Sequence, residues 1–161
     1  MAKLARIAPC LWFDTEAEDA ARHYVSIFKN SSIGKIARYS KSGFEVHKKP
    51  EGSVMTVSFT LDGQEFLALN GGPQFKFNES ISLIVKCDSQ GEIDYYWAKL
   101  GAGGDPSAQV CGWLKDRYGL SWQVVPADMD EIMTGSPEKS ARAMSALMKM
   151  KKLDIAALRG A

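Results

Sequence analysis

The chain has 161 residues, 45% hydrophobic and 24% charged, which is the make-up of an ordinary globular protein with room for one domain or two small fused modules. Its formal net charge is +1, so there is no concentrated positive field to hold nucleic acid or an anionic membrane. The densest basic run, Lys149 to Lys152, reads as the solvated end of a helix.

The apolar part of the opening segment contains Pro9 and runs into Asp14. It is too short for a signal core or a membrane span, and a cytoplasmic location is expected. Residues Leu4 to Phe13 read as a strand. Thr15 followed by Glu18 has the spacing of a capping box. Ala17, Ala20, Ala21, Tyr24, Ile27 and Phe28 then recur at helical spacing, and Asn30 is a stop signal. "SIGKIARYS" is a second strand candidate. The polar stretch from Lys41 to Gly52 reads as a loop or loose hairpin. Asp62-Gly63 predicts a two-residue hairpin turn joining strands Val54–Leu61 and Gln64–Asn70. Gly71-Gly72-Pro73 closes that strand and leads into a connector with Phe75 and Phe77 on one face if extended.

The second half repeats the plan. "ISLIVKCDSQGEIDYYWAKLG" predicts strand, cap, helix and glycine stop, with Ser89 and Glu92 as a second capping box. Thr15 and Ser89 lie 74 residues apart, and at that offset Asp14 meets Asp88, Glu18 meets Glu92 and Ile7 meets Ile81. Strand-like pieces around Gln109–Lys115 and Leu120–Val125 flank a turn at Asp116–Gly119, after a weakly marked short strand. The pattern predicts a duplicated β-α-β-β-β module, about 4–72 and 79–126, with a helical extension over 127–161, all within one domain over 1–161. In the extension, Ser136-Pro137 marks a helix start, and Ala141, Met144, Leu147 and Met148 form an apolar stripe read as core or subunit contact.

Chemistry-bearing motifs are few. Gly71-Gly72 is followed by no helical pattern, and neither GxxxxGK[ST] nor GxGxxG with a following acidic residue occurs. Phosphate, dinucleotide and Rossmann-type S-adenosylmethionine sites are therefore not expected. His23 falls inside the first helix and His47 in the polar loop, too few histidines for a two-His facial triad. Cys10, Cys87 and Cys111 are far apart and lack a CxxC, which fits reduced thiols. Ser121 lacks the second glycine of G-x-S-x-G. What remains is aromatic density on or beside the strands, with Asn70, Cys111, Ser121 and Gln123 as polar groups able to orient a ligand.

"PCLWFD", "FLALNGGPQFKFNESISL", "CGWLKDRYGLSWQVVP" and "ALMKMKKLDIAAL" resemble the PhnB-like, or "3-demethylubiquinone-9 3-methyltransferase domain", branch of the vicinal oxygen chelate (glyoxalase/bleomycin-resistance) superfamily. The resemblance runs from about Ile7 to Leu158. It implies an α+β fold of two βαβββ modules whose mixed sheets curve around a cavity, and a homodimer. Metal-dependent relatives carry His or Glu early in the first strand of each module and Glu in each last strand. Here Ile7 to Cys10 and Ile81 to Ile84 occupy the former places, while Gln123 and the "FLALN" stretch ending at Asn70 occupy the latter.

The expectation is a small-molecule-binding protein with an aromatic-lined cavity and neither a metal ion nor S-adenosylmethionine. Its lining set is Trp12, Phe59, Asn70, Phe77, Cys111, Trp113, Trp122 and Gln123, not all on one face. The alternatives are methyl transfer to a demethylubiquinone-like phenol, metal-assisted lyase, isomerase or dioxygenase chemistry, and sequestration of a drug or toxin.

Overall fold

In the computed structural model, which describes residues 6–161, Asp62 and Gly63 take φ values of 47° and 78°. Positive φ at both central residues is the type I′ geometry that matches strand twist. The turn joins β3 (Val54–Leu61) to β4 (Gln64–Asn70), paired from Thr56↔Leu69 to Leu61↔Gln64. β1 (Cys10–Phe13) lies parallel to β4, and β2 (Ser32–Arg38) lies antiparallel to β3 with two register shifts. The resulting sheet has the order β1-β4-β3-β2. The first strand is shorter than the sequence predicts, and Leu4 and Ala5 lie outside the described residues.

Helix α1 (Ala17–Ile27) covers one face of this sheet, packing chiefly on β3 and β4. Ala17, Ala20 and Ala21 are fully buried, so small side chains let the helix approach closely. Tyr24 stacks on Phe59 and Phe59 on Phe66, with centroids 6.5 and 5.3 Å apart. Burial of rings such as these contributes roughly 1.5–3 kcal/mol each. The capping box expected at Thr15 does not form: Glu16 is the N-cap residue, and its side chain makes no capping hydrogen bond. The polar stretch after β2 contains one helical turn, α2 (Phe44–His47).

A first unit ends at Lys76, and a second spans Phe77–Ala161. In the second, β5 (Leu83–Cys87) pairs parallel with β7 (Ser121–Pro126), and β6 (Trp113–Lys115) pairs antiparallel with β7, giving the order β5-β7-β6. Helix α3 (Gln90–Gly101) packs on all three strands. Its cap forms as predicted: Ser89 Oγ accepts from Glu92 N at 3.2 Å, and Glu92 Oε2 accepts from Asp88 N at 2.7 Å.

The second module departs from the expected repeat at one strand. The segment before Gln109 is a 3₁₀ turn, Pro106–Ala108, seeded by Asp105, whose carboxylate accepts from Ser107 N and Oγ. The strand expected from Gln109 breaks at Cys111-Gly112, both at positive φ (51° and 84°), leaving a single bridge between Val110 and Trp113. Two mixed sheets with helices result, and among the described residues no barrel closes.

The extension folds into α4 (Met129–Met133), α5 (Pro137–Leu147) and α6 (Ile155–Arg159). It is latched into the second unit by backbone bonds: Cys111 N donates to Met150 O and Gly112 N to Lys151 O, both at 2.8 Å. Gln90 clamps the same segment, donating to Leu153 O and accepting from Ile155 N, both at 3.0 Å. The stripe read along α5 turns outward: Met144 and Met148 are exposed, and Ala143 is the helix's one buried residue. A one-residue rotation explains this, because Ala143 lets the short helix sit close.

Candidate functional site

Register sorts the predicted lining residues onto opposite faces. In the first sheet Phe13, Phe59, Phe66 and Asn70 share the buried face with Leu11, Val57 and Ala68. Trp12, Leu67 and Leu69 share the open face. Asn70 is buried and engaged at both ends of its amide: Oδ1 accepts from Ala17 N at 2.8 Å, and Nδ2 donates to Val54 O at 3.1 Å. It therefore caps α1 from across the sheet. Phe59 belongs to the aromatic stack under α1.

Trp12 is half-buried. Its indole N–H donates to Gly72 O at 2.9 Å, and its ring meets Phe75 edge-on with centroids 4.9 Å apart. A Cβ on Gly71 would lie 2.2 Å from the Trp12 ring, so glycine is required there for close approach. The amides of Gly71 and Gly72 both donate to Phe13 O. The glycine pair thus seats an indole against the end of β4.

In the second sheet Trp122 faces inward, beside Leu114 and Val124 in the layer under α3. Its indole donates to Asp116 Oδ2 at 2.8 Å, while Asp116 Oδ1 accepts from Tyr118 N at 2.8 Å and Leu120 N at 3.1 Å. Asp116 is 2% exposed, and three donors from its own turn and strand compensate its burial. Cys87 is also buried; burial first, then Glu92 and Asp88, pushes its thiol up to about 12. Phe77 is half-buried at the start of the unit.

Ser121, Gln123, Trp113, Lys115 and Ile84 share the opposite, open face. Gln123 Nε2 donates to Ser82 Oγ at 2.9 Å. The duplication holds here in register: Cys10 pairs with Leu67 in the first sheet as Ile84 pairs with Gln123 in the second, at the same 74-residue offset of first strands. The counterpart of Gln123 is therefore Leu67, not Asn70. Asn70 corresponds to Pro126, because each pairs with the last residue of its parallel first strand.

A pocket of about 410 Å³ opens on this face, lined by Glu79, Ala108, Val110, Cys111, Trp113, Leu114, Lys115 and Ser121. Most of its wall is apolar. Lys115 Nζ lies 2.5 Å from a Glu79 carboxylate oxygen, and this hydrogen bond holds the Glu79 carboxyl below the usual carboxylate range. Ser121 is 1% exposed, and its hydroxyl has no hydrogen-bond partner. Of the predicted lining residues, Cys111 and Trp113 reach this pocket. Ser121, Lys115 and Glu79 complete it. Ser121, named from the sequence among the polar groups able to orient a ligand, lies two residues before Gln123 on the same face of β7.

The family model described as 3-demethylubiquinone-9 3-methyltransferase matches residues 5–125. The PhnB protein of Bacillus cereus is 36% identical, and the match covers 75% of this chain and 99% of that one with a TM-score of 0.63. A protein of Pseudomonas aeruginosa is 18% identical over 76% of this chain and 98% of its own, with a TM-score of 0.58. A glyoxylase/bleomycin resistance protein/dioxygenase domain from Frankia sp. EAN1pec gives 13% identity, 77% and 93% coverage and a TM-score of 0.45. No curated protein matches. The chain belongs to the 3-demethylubiquinone-9 3-methyltransferase family, as the model match over residues 5–125 and the 36% identical PhnB protein show.

Proposed function

We propose that this chain binds a small, largely apolar molecule bearing one hydrogen-bonding oxygen, without a metal ion, in the pocket beside Ser121. The observation that carries this is the unpaired Ser121 hydroxyl within a largely apolar wall. Leaving a buried hydroxyl unbonded costs about 1–3 kcal/mol, and a ligand oxygen within reach would offset it. The single ion pair, Lys115 with Glu79, leaves no net charge among the lining side chains, which favours a neutral ligand.

The donor set supports the metal-free reading. Where metal-dependent relatives carry His or carboxylates, this chain has a hydroxyl bonded to an amide at Ser82 and Gln123, and an alanine and a leucine at the duplicated places Ala8 and Leu67. One hydroxyl and one amide, with no carboxylate, imidazole or thiolate beside them at these places, give a divalent cation too weak a ligand set. The family description names methyl transfer, but no S-adenosylmethionine site enters this reading. Three free thiols support a reducing, cytoplasmic setting. The exposed Ile84 on the open face and Ile81 near it support burial by a second copy of the chain. Among the described residues, no helix is long and apolar enough to cross a membrane.

Calorimetry with 4-ethylphenol and with ethylbenzene tests the pocket. The phenol is expected to bind about tenfold more tightly, the difference one hydrogen bond provides, and Ser121→Ala should erase that margin. A margin that survives the substitution, or no binding of either compound, rejects the reading.

A further inference from the structure

We propose that Cys111 is a covalent addition site for α,β-unsaturated carbonyl compounds held in this pocket, with the Ser121 hydroxyl receiving their carbonyl oxygen. The proposal rests on the pocket reading above and adds a chemical class and a reaction to it. Two independent features converge. The pocket wall contains a half-exposed thiol, and the same wall contains the buried, unpartnered hydroxyl of Ser121. A hydrogen-bond donor and a soft nucleophile in one small, largely apolar site match an enone, whose oxygen seeks a donor and whose β-carbon seeks a thiol.

The Cys111 backbone strengthens the case. Its φ of 51° lies in the left-handed region, where glycine or asparagine is usual and a side chain with a Cβ costs about 1–2 kcal/mol. The strained turn is fixed from outside, because the amides of Cys111 and Gly112 both bond to carbonyls of the C-terminal segment. The thiol is thus held in place rather than carried on a loose loop. Beside it lies Met148, whose Sδ is 4.0 Å from the Cys111 sulfur.

The step balances without an oxidant. The Cys111 thiol loses its proton to solvent, and the sulfur forms a bond to the β-carbon. The C=C π pair shifts to join the α-carbon to the carbonyl carbon as the C=O π pair moves to oxygen, giving an enolate whose oxygen the Ser121 O–H stabilises by donating to it. Water then protonates the α-carbon. The net change is addition of S–H across the double bond, and the saturated carbonyl compound stays attached to Cys111 through the new thioether.

The other two cysteines are internal controls in the same chain. Cys87 is buried, with its thiol raised to about 12, and should not react while the protein is folded. Cys10 is exposed on the first strand and has no place in this pocket.

The test is peptide-level mass spectrometry of the full chain, giving modification rates at Cys111 and Cys10 with 2-cyclohexen-1-one and with iodoacetamide. Relative to iodoacetamide, the enone is expected to react about tenfold faster at Cys111 than at Cys10, a modest share of what an enclosed oxyanion donor provides. Ser121→Ala should remove that preference, bringing the ratio of enone to iodoacetamide rates at Cys111 down to the ratio at Cys10. Equal enone preference at both cysteines, or a Ser121→Ala variant that slows both reagents alike, overturns the proposal. Saturated cyclohexanone separates the two layers. If it shields Cys111 from iodoacetamide while the enone shows no preference, the covalent step is wrong and the pocket stands. If it shields nothing and the preference is also absent, both are wrong.

Discussion

In the first unit the start of α1 is held from across the sheet, by Asn70 at the end of β4. In the second the start of α3 is held by its immediate neighbour, Ser89, with Glu92 closing the reciprocal bond. The positions at the ends of the last strands differ accordingly. Asn70 corresponds in register to Pro126, which has no side-chain donor or acceptor and is needed for none. A helix with its own cap frees the strand end of that duty, and a helix without one recruits the strand. The open faces diverge too: Leu67 stands where the second sheet has Gln123, and the pocket with the unpaired hydroxyl lies on the second sheet. Equivalent places in a duplicated fold thus serve different ends. A polar residue at the end of a last strand indicates a ligand only after its structural bonds are counted.

Two substitutions probe that difference in the anchoring of the helices. Asn70→Ala leaves the Ala17 amide without its acceptor and the Val54 carbonyl without its donor, both near a buried side chain. The expected loss is about 2–3 kcal/mol, a lost cap plus a lost buried hydrogen bond. Urea unfolding followed by circular dichroism measures it. Ser89→Ala removes one exposed capping acceptor while Glu92 still receives the Asp88 amide. It should cost about 1 kcal/mol. A larger loss for Ser89→Ala than for Asn70→Ala would reverse the contrast between the borrowed cap and the local one.

Much of the architecture was legible because it rests on local rules. Asp62-Gly63 specifies its hairpin through backbone preference alone, and both flanking strands fall where the sequence places them. Ser89 and Glu92 carry the signature of the cap they form. The 74-residue offset, read from matching residues, returns as matching parallel register. The second module's missing strand was less accessible, because Cys111 takes a conformation that its side chain disfavours and only tertiary contacts with residues 150 and 151 hold it there. The site was harder still. Aromatic type does not reveal a face, and a one-residue difference in phase puts Phe59, Asn70 and Trp122 under the helices while Trp12, Trp113 and Gln123 look outward. Asp116 passed as a turn residue, and its buried bond to the Trp122 indole depends on how the turn folds back.

The smallest expected effect discriminates most sharply between the local reading and the tertiary one. Thr15 and Glu18 have the same spacing as Ser89 and Glu92, so a purely local view assigns Thr15→Ala a loss of about 1 kcal/mol, equal to that of Ser89→Ala. The fold assigns it almost nothing. The N-cap of α1 falls one residue later, at Glu16, and Glu18 is paired with Arg22 one turn on, with Arg22 Nη2 donating to Glu18 Oε1 at 2.7 Å. Thr15 itself is exposed. Thr15→Ala should therefore shift stability by no more than about 0.5 kcal/mol, the ordinary range for an exposed site. A loss near that of Ser89→Ala would mean that α1 caps itself locally after all, and that the bond from Ala17 to Asn70 is not what holds its start.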